Sequence, residues 1–318
     1  VYVNEVVGRS SPSMVALGTH SLQDSIMLRE FASKRWRDAY LEPLVAGEIF
    51  PSFAMTEPDI SSSDPTQLQT KAVLDGDEWV INGRKWFTTG AARATYTTVI
   101  CKTEVDVPSH GAFSMIIVPT DNPGYKIIRE TPVLGTTGGS GHYEVEYDNV
   151  RVPAENLLGP RGQGFLIAQR RLGPGRIHHC MKIIGAAEKA LKLLCERATT
   201  RVAFGKVIAE LGGNYDVIAK CRIEIEMCRL LTLKAAFMMD TVGNKIAKSE
   251  IAQPKVEVPT MAVRVIERAV QIHGGAGVSQ DTPLASLYSS IRYLRIGDGP
   301  DEVHLRTIAK EELNKYEN

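Results

Sequence analysis

Hydrophobic periodicity changes twice along this chain of 318 residues, and the order of the three textures constrains the fold more than any single motif. From Ser21 to Ala46, Ile26, Phe31, Ala32, Trp36 and Tyr40 recur at roughly helical intervals, and Gly47 is placed to stop one helix. Residues 50 to 155 read instead as strands joined by tight turns. Asp75-Gly76 and Asn82-Gly83 are hairpin-type dipeptides, and Tyr143, Val145 and Tyr147 alternate with Glu144 and Glu146 as in a half-buried strand. A mostly antiparallel sheet is expected there. Beyond Pro153 amphipathic stretches return: Ile183, Ile184, Ala187, Leu191 and Leu194 have the spacing of one buried helical face, and further helices are expected over 214 to 242, 261 to 273 and 301 to 315. Helix, then sheet, then helix bundle predicts a segregated α+β multidomain fold and disfavours alternating βαβ units of the Rossmann kind.

Composition closes off several classes of function. Lysine plus arginine (37) equals aspartate plus glutamate (37), so the charge balance does not point to a nucleic acid or an anionic membrane. No apolar run approaches the ~20 residues that a membrane helix needs, while the length allows two or three domains with substantial cores. Cys101, Cys180, Cys195, Cys221 and Cys228 are odd in number, widely spaced and without a CxxC pair. That pattern speaks against a disulfide framework or a zinc site and for a reducing compartment. The chain opens at Val1 in helical-looking sequence with no charged-then-apolar leader, so its natural amino terminus is expected to lie upstream.

Taken singly, the motifs that could carry chemistry are weak. Gly159, Gly162 and Gly164 precede a helix but lack GxGxxG spacing and a βαβ context, so they read as a surface turn, as do Gly138, Gly139 and Gly141. Gly274-Gly275-Ala276-Gly277 ends an amphipathic stretch and reads as a C-terminal cap. His178 and His179 are adjacent in a helix, where their side chains diverge, and no HExxH accompanies them; they read as packing or surface residues, with no metal. GxSxG is absent, and Ser10-Ser11 and Ser61-Ser62-Ser63 read as loops. Asp298-Gly299-Pro300 reads locally as a turn.

Their company changes the reading. Met55-Thr56-Glu57-Pro58, Lys85-Trp86-Phe87-Thr88, Arg201 to Lys206 with Phe204-Gly205, Gln271-Ile272-His273-Gly274-Gly275 and Asp298-Gly299 occur in the order seen in the acyl-CoA dehydrogenases. The resemblance covers the whole chain. It is closest to the branch of mammalian family members ten and eleven, which carries segments like Arg171 to Cys180 and Asp298 to His304. It implies the acyl-CoA dehydrogenase fold: an N-terminal helical domain of which 1–49 is the end, a middle antiparallel β domain over 50–155, and a C-terminal four-helix bundle over 156–318. These domains hold FAD between them, in a homodimer or homotetramer.

The resemblance places Phe53, Met55 and Thr56 at the flavin ring, Trp86, Phe87 and Thr88 on its other side, and Ser62 and Ser63 among the cofactor-facing residues, with Ser63 near the pyrophosphate or the CoA arm. Arg201, Phe204, Gln271, Gly274 and Gly275 resemble residues that reach the FAD of a neighbouring subunit, where a guanidinium suits a pyrophosphate and glycine admits close backbone approach. Pro300 and Glu302 join the cofactor set, and Gly175, Arg176, Gly299 and Ser63 fall on the substrate side. Asp298 takes the position of the base. A thioester α-carbon is a weak acid, so its deprotonation needs a positioned carboxylate and stabilisation of the charge that develops on the carbonyl oxygen. The implied reaction is α,β-dehydrogenation of an acyl-CoA to the 2-enoyl-CoA in fatty acid β-oxidation, with hydride passing to flavin and an electron-transfer flavoprotein as acceptor. The implied compartment is mitochondrial in a eukaryote or cytoplasmic in a bacterium.

Three features depart from the family pattern. Most relatives carry glutamate where Asp298 stands; some subfamilies instead place the base just before the arginine matched by Arg176, where this chain has Gly175. Leu211 and Gly212 replace polar residues that contact FAD in many relatives. Pro254 and Pro259 fall inside an expected bundle helix, which predicts a kink or break near Pro254. An acyl-CoA oxidase or a nitroalkane-oxidase-like flavoenzyme of the same fold is the nearest alternative, and a non-catalytic assembly partner is the alternative from another class; the Gly173 to Arg176 turn favours a CoA enzyme.

Overall fold

In the computed structural model, residues 1–10, 19–135 and 141–317 are described, except for the side chains of Thr19 and His20. Ser11, Gly138 and Gly139 lie outside the described residues. The chain divides into two compact units: Gly18–Leu172 is one, and Val1–Leu17 with Gly173–Asn318 is the other.

The first unit carries the sheet. Strands β1 (Pro51–Ala54), β2 (Lys71–Asp75), β3 (Glu78–Thr89), β4 (Tyr96–Lys102), β5 (Phe113–Pro119), β6 (Tyr125–Glu130), β7 (His142–Pro153) and β8 (Leu157–Leu158) take the order β6-β7-β3-β2-β4-β5-β8, with β1 against β4. All pairings are antiparallel except those of β1 and β2 with β4. β4 and β5 read as continuous apolar runs because both their faces are covered: Val99, Ile100, Cys101, Ile116, Ile117 and Val118 are fully buried.

Two details of this sheet differ from the sequence reading. Asp75 does face Glu78 across a tight turn in which Gly76 has φ +65°, but Asn82-Gly83 makes no second hairpin. It lies inside β3, where the pairing with β7 slips between Ile81 and Gly83. Gly83 has φ +153°, and a Cβ there would stand 2.5 Å from Thr70 Oγ1, so the glycine serves a bulge and a close backbone approach. Glu144 is not on a solvated face either. It is buried, with its carboxylate held between Arg84 and the Nε of Arg129, the latter at 2.8 Å.

The helical reading from Ser21 to Ala46 resolves into several segments. An α-helix over Thr19–Phe31 ends before Ser33, whose hydroxyl caps a new turn at Trp36 N–H, and a π-helical turn (Arg37–Leu41) leads into Glu42–Ala46. Gly47 stops it in the left-handed conformation at φ +78°. Ser-x-x-Trp at 33 to 36 was the local signal for the restart. The buried face comprises Met27, Leu28, Ala32, Trp36 and Leu44 together with the polar Gln23 and Asp24.

The second unit is helical. Gly164–Thr200 supplies Ile183, Ile184, Ala187, Leu191 and Leu194 to a core completed by Ile225 of Asn214–Val242, Val258, Met261 and Val265 of Lys248–His273, and Leu284, Leu287 and Ile291 of Leu284–Arg292. Asp301–Leu313 packs on Lys248–His273. Of the expected kink or break near Pro254, a break does not occur: the helix is continuous over Lys248–His273 with both prolines buried inside it. Each proline forfeits an N–H at a cost of about 3 kcal/mol. Burial of the surrounding face, with Ile251, Ala252, Val258, Met261 and Ala262, offsets that loss. The supposed turn from Gly173 to Arg176 is likewise helical, within Gly164–Thr200. At Gly173 a Cβ would lie 2.4 Å from the Asn244 amide nitrogen, so a larger residue would have to push that side chain aside.

All five cysteines are free thiols; four are buried and Cys195 is half-buried. Burial pushes the thiols of Cys101, Cys180 and Cys228 up to about 12. Among the described residues no helix is long and apolar enough to cross a membrane.

Replacing Gly83 by alanine should strain the backbone and force Thr70 away. A loss of about 1–3 kcal/mol is expected. Chemical denaturation of the variant beside the wild type checks it, and an unchanged midpoint would contradict the close packing at Thr70.

Candidate functional site

In the sheet unit, a buried ion pair ties together two of the segments singled out in the sequence. Lys85, in β3, is fully buried, and its Nζ donates to Glu57 Oε1 and to the Met55 carbonyl, both at 2.9 Å. Glu57 also accepts the N–H groups of Gln69 at 2.7 Å and Thr70 at 2.9 Å. Burial alone would raise this carboxyl, but Lys85 and those donors outweigh it and hold Glu57 below the usual carboxylate range. Ser62 closes the loop by accepting Glu57 N–H at 3.0 Å, and Ser63 is exposed with its hydroxyl 2.8 Å from that of Ser61.

The pairing brings Met55 and Thr56 beside Trp86, whose N–H donates to the Thr56 carbonyl at 2.7 Å. The Trp86 indole N–H donates to Thr131 Oγ1 at 3.0 Å, and its ring lies 4.5 Å from that of Phe87. Phe87 holds φ +53°, a left-handed conformation costly for a bulky residue, and stays 40% exposed. Thr88 follows, fully buried, with no hydrogen-bond partner for its hydroxyl among the described residues. Phe53 in β1 lies under the Arg171 guanidinium at 4.2 Å, and Arg171 is itself paired with buried Asp24 at 3.1 Å. Burial raises the Asp24 carboxyl to about 6 despite that partner. The sequence reading had not singled out Asp24, and neither residue type announces a buried pair.

In the helical unit, polar groups converge on Asp298. Asp298 has φ +57° and Gly299 φ +106°. The Asp298 carbonyl accepts Arg176 Nε at 3.3 Å, and the buried Lys255 amine donates to the carbonyls of Leu294 at 2.7 Å and Gly299 at 3.2 Å. A Cβ on Gly299 would stand 2.8 Å from His304 Nε2, so that position must be glycine on both counts. Arg295 pairs with buried Asp301 at 2.7 Å, and Asp301 and Glu302 open the helix that follows Pro300. His179 Nε2 lies 3.3 Å from Asp298 Oδ2, a contact that the sequence reading of the two histidines did not anticipate. Burial pushes the His304 imidazole down to about 4, with Arg176 and Lys255 adding to the effect, and pushes His178 down to about 3.

Gly175 is buried beside Arg176 in the Gly164–Thr200 helix. Arg201, Phe204, Gln271, Gly274 and Gly275 are all exposed; Phe204 is 96% exposed at φ +50°, and Gly274 caps its helix with φ +63°. Leu211 and Gly212 follow a short 3-10 turn, with Gly212 at φ +55°.

With this geometry in view, the sequence profile of the acyl-CoA dehydrogenase middle domain matches residues 52–150, and that of the acyl-CoA dehydrogenase C-terminal domain matches 162–313. The chain belongs to the acyl-CoA dehydrogenase family. It is 51% identical to FadE2 of Mycobacterium tuberculosis, across 91% of this chain and 72% of that protein. It is 48% identical to human acyl-CoA dehydrogenase family member 11 across 90% of this chain, yet spans only 37% of that longer protein. A solved Mycobacterium abscessus protein assigned to the acyl-CoA dehydrogenases is 43% identical, with a TM-score of 0.96 over 99% of this chain and 79% of its own. PigA, solved with FAD and proline, is 25% identical, with a TM-score of 0.88 over 97% of this chain and 80% of its own. The α+β fold is therefore that of an acyl-CoA dehydrogenase, a family of flavin-dependent oxidoreductases.

Replacing Lys85 by methionine leaves the Glu57 carboxylate buried without its cation. A loss of about 3–5 kcal/mol is expected. Thermal unfolding near neutral pH reads it directly. Because the Glu57 carboxyl is held low in the folded state, the wild-type contribution of this group is present at neutral pH and disappears as pH falls through the folded-state value. The gap between wild type and Lys85→Met should therefore narrow in acid; a gap independent of pH would contradict the pairing.

Proposed function

We propose that the protein of which this chain forms part oxidises an acyl-CoA thioester at its α and β carbons, with Asp298 as the base that removes the α-proton. One observation supports this most: Asp298 sits on a left-handed turn whose carbonyl and that of its neighbour are held by Arg176 and Lys255. A short carboxylate on a braced backbone is what a proton transfer over hydrogen-bond distance requires. The backbone N–H of Asp298 would polarise the thioester carbonyl and stabilise the charge that develops there. Gly175, Arg176 and Gly299 would border the thioester, and Ser63 the CoA arm.

The residues present fit FAD. Trp86 and Phe87 offer a partly exposed aromatic pair, and the Thr88 hydroxyl is a buried polar group without a partner among the described residues. Phe53, Met55, Thr56, Trp86, Phe87 and Thr88 would hold the ring system and Ser63 the pyrophosphate or the CoA arm, while Ser62, Pro300 and Glu302 would be further cofactor contacts. When bound, FAD supplies the acceptor for the hydride that leaves the β-carbon. The exposed Arg201, Phe204, Gln271, Gly274 and Gly275 would reach the FAD of a neighbouring copy in a homodimer or homotetramer. An electron-transfer flavoprotein is the proposed electron acceptor.

The test is anaerobic reduction of the flavin-loaded, full-length protein by a panel of acyl-CoAs, followed by absorbance. Wild type should bleach with one class of thioester, and Asp298→Asn should keep FAD and bind acyl-CoA while its reduction slows by at least ~100-fold. Near-normal reduction by Asp298→Asn would move the base elsewhere. Bound flavin that no acyl-CoA bleaches would favour nitroalkane-type chemistry, and a protein without flavin an assembly role.

A further inference from the structure

We propose that Trp36, Tyr40 and Tyr96 form an electron relay: when a one-electron oxidant takes an electron from the Trp36 indole, Tyr96 restores it through Tyr40 and gives its phenolic proton to the Asp24 carboxylate. All four residues belong to the sheet unit, and the inference is independent of the reading of Asp298. Its footing is a continuous run of ring contacts. The Trp36 and Tyr40 rings are stacked, with centroids 5.3 Å apart and planes 4° from parallel, and Tyr40 meets Tyr96 at 4.5 Å and 31°. Both pairs lie within the range of favourable aromatic contact. Electron transfer between side chains falls steeply with separation, so rings in contact exchange electrons far faster than rings with other protein between them.

The two ends of the run differ in what they can do with a proton. At the Trp36 end the indole N–H donates to the Glu155 carbonyl at 2.7 Å, an acceptor that cannot take the proton away. An oxidised indole therefore keeps its positive charge, beneath the Arg35 guanidinium at 5.0 Å, which opposes it. A phenol becomes strongly acidic as it is oxidised, so a tyrosine yields an electron readily only where a base accepts that proton. Tyr96 is fully buried, and Asp24 is buried beside it. Among the described residues, Trp79 and Trp86 meet an arginine and a phenylalanine ring instead of a tyrosine.

Asp24 is suited to that task. Its Oδ1 accepts Arg171 Nε at 3.1 Å, while Oδ2 and the Tyr96 hydroxyl each lack a full hydrogen bond among the described residues. The two groups nonetheless act on one another: burial raises the Asp24 carboxyl to about 6 against the pull of Arg171 and the Tyr96 hydroxyl, and burial together with the Asp24 charge raises the Tyr96 phenol. Such a carboxyl is ionised at neutral pH yet holds a proton more firmly than an exposed aspartate does. The step balances. The oxidant gains one electron, Trp36 returns to its neutral form, Tyr96 becomes a neutral phenoxyl radical, and Asp24 becomes a carboxylic acid beside Arg171, which keeps the positive charge. The oxidising equivalent thus leaves the indole, where reaction with oxygen is irreversible, for a phenoxyl that a small one-electron reductant such as ascorbate refills through the same rings.

The experiment is pulse radiolysis of the full-length protein in azide solution near neutral pH, which generates azide radicals that oxidise indole in preference to phenol. The indole radical should decay as a phenoxyl radical rises, in a first-order phase whose rate is the same at every protein concentration. Trp36→Phe and Tyr96→Phe should each lose this phase, and Tyr40→Leu should slow it. Tyr96→Phe removes only a hydroxyl that lacks a full hydrogen bond, so the stack and the fold are kept. The phase should be slower in heavy water than in water, and slower in Asp24→Asn than in wild type. After steady exposure to the same radical, peptide mass spectrometry should find more hydroxylated Trp36 in Tyr96→Phe than in wild type. A phase that survives Tyr96→Phe, no such phase in wild type, or a rate proportional to protein concentration overturns the relay. Equal rates in water and heavy water overturn Asp24 as the proton acceptor, a result that does not require the Asp24→Asn variant to fold. Equal oxidation of Trp36 in Tyr96→Phe and wild type overturns the protection of the indole.

Discussion

A buried ammonium held against main-chain carbonyls is the constraint on which each candidate half-site depends. Lys85 and Lys255 rank among the largest fully buried side chains, and each donates to the backbone of a loop that carries candidate chemistry. An isolated buried charge is costly, so both are compensated, though differently. Lys85 has a carboxylate partner that is itself satisfied by two backbone N–H groups. Lys255 has carbonyl dipoles in contact and the charges of Asp298 and Asp301 near by. Burial lowers its affinity for the proton, and those carboxylates oppose the effect.

Much of the fold could be read from periodicity. The helix expected over 214 to 242 is Asn214–Val242, and the face written by Ile183, Ile184, Ala187, Leu191 and Leu194 is buried as its spacing requires. Where the reading failed, a tertiary contact overrode a local preference. Asn82-Gly83 has hairpin composition, but the glycine is spent on the close approach of Thr70. Glu144 alternates like a solvated residue, but Arg84 and Arg129 cover its carboxylate. Pro254 and Pro259 argue locally for a break, but the apolar face they interrupt is buried around them. Pairwise partners of this kind leave no periodic trace along the chain.

The candidate site shows the same division. The segments around Met55, Trp86 and Asp298 could be picked out only as a set in a family's order, since each alone reads as a loop or a strand. The physical reasons for their shape lay in residues that looked ordinary. Glu57 and Lys85 were inside those segments yet unremarked as a pair. His179 and Lys255 belong to helices, where a polar residue is more often a surface one, and only the meeting of distant elements reveals what they hold.

The free cysteines give each unit its own reporter. Thiolate, not thiol, reacts with disulfides and alkylating agents, and thiols held at about 12 are almost wholly protonated at neutral pH. Cys101 sits in the sheet, while Cys180 and Cys228 sit among the helices. Labelling at these positions therefore clocks local opening rather than surface chemistry, and the order in which the three sulfurs are modified ranks the sheet against the bundle by their rates of breathing.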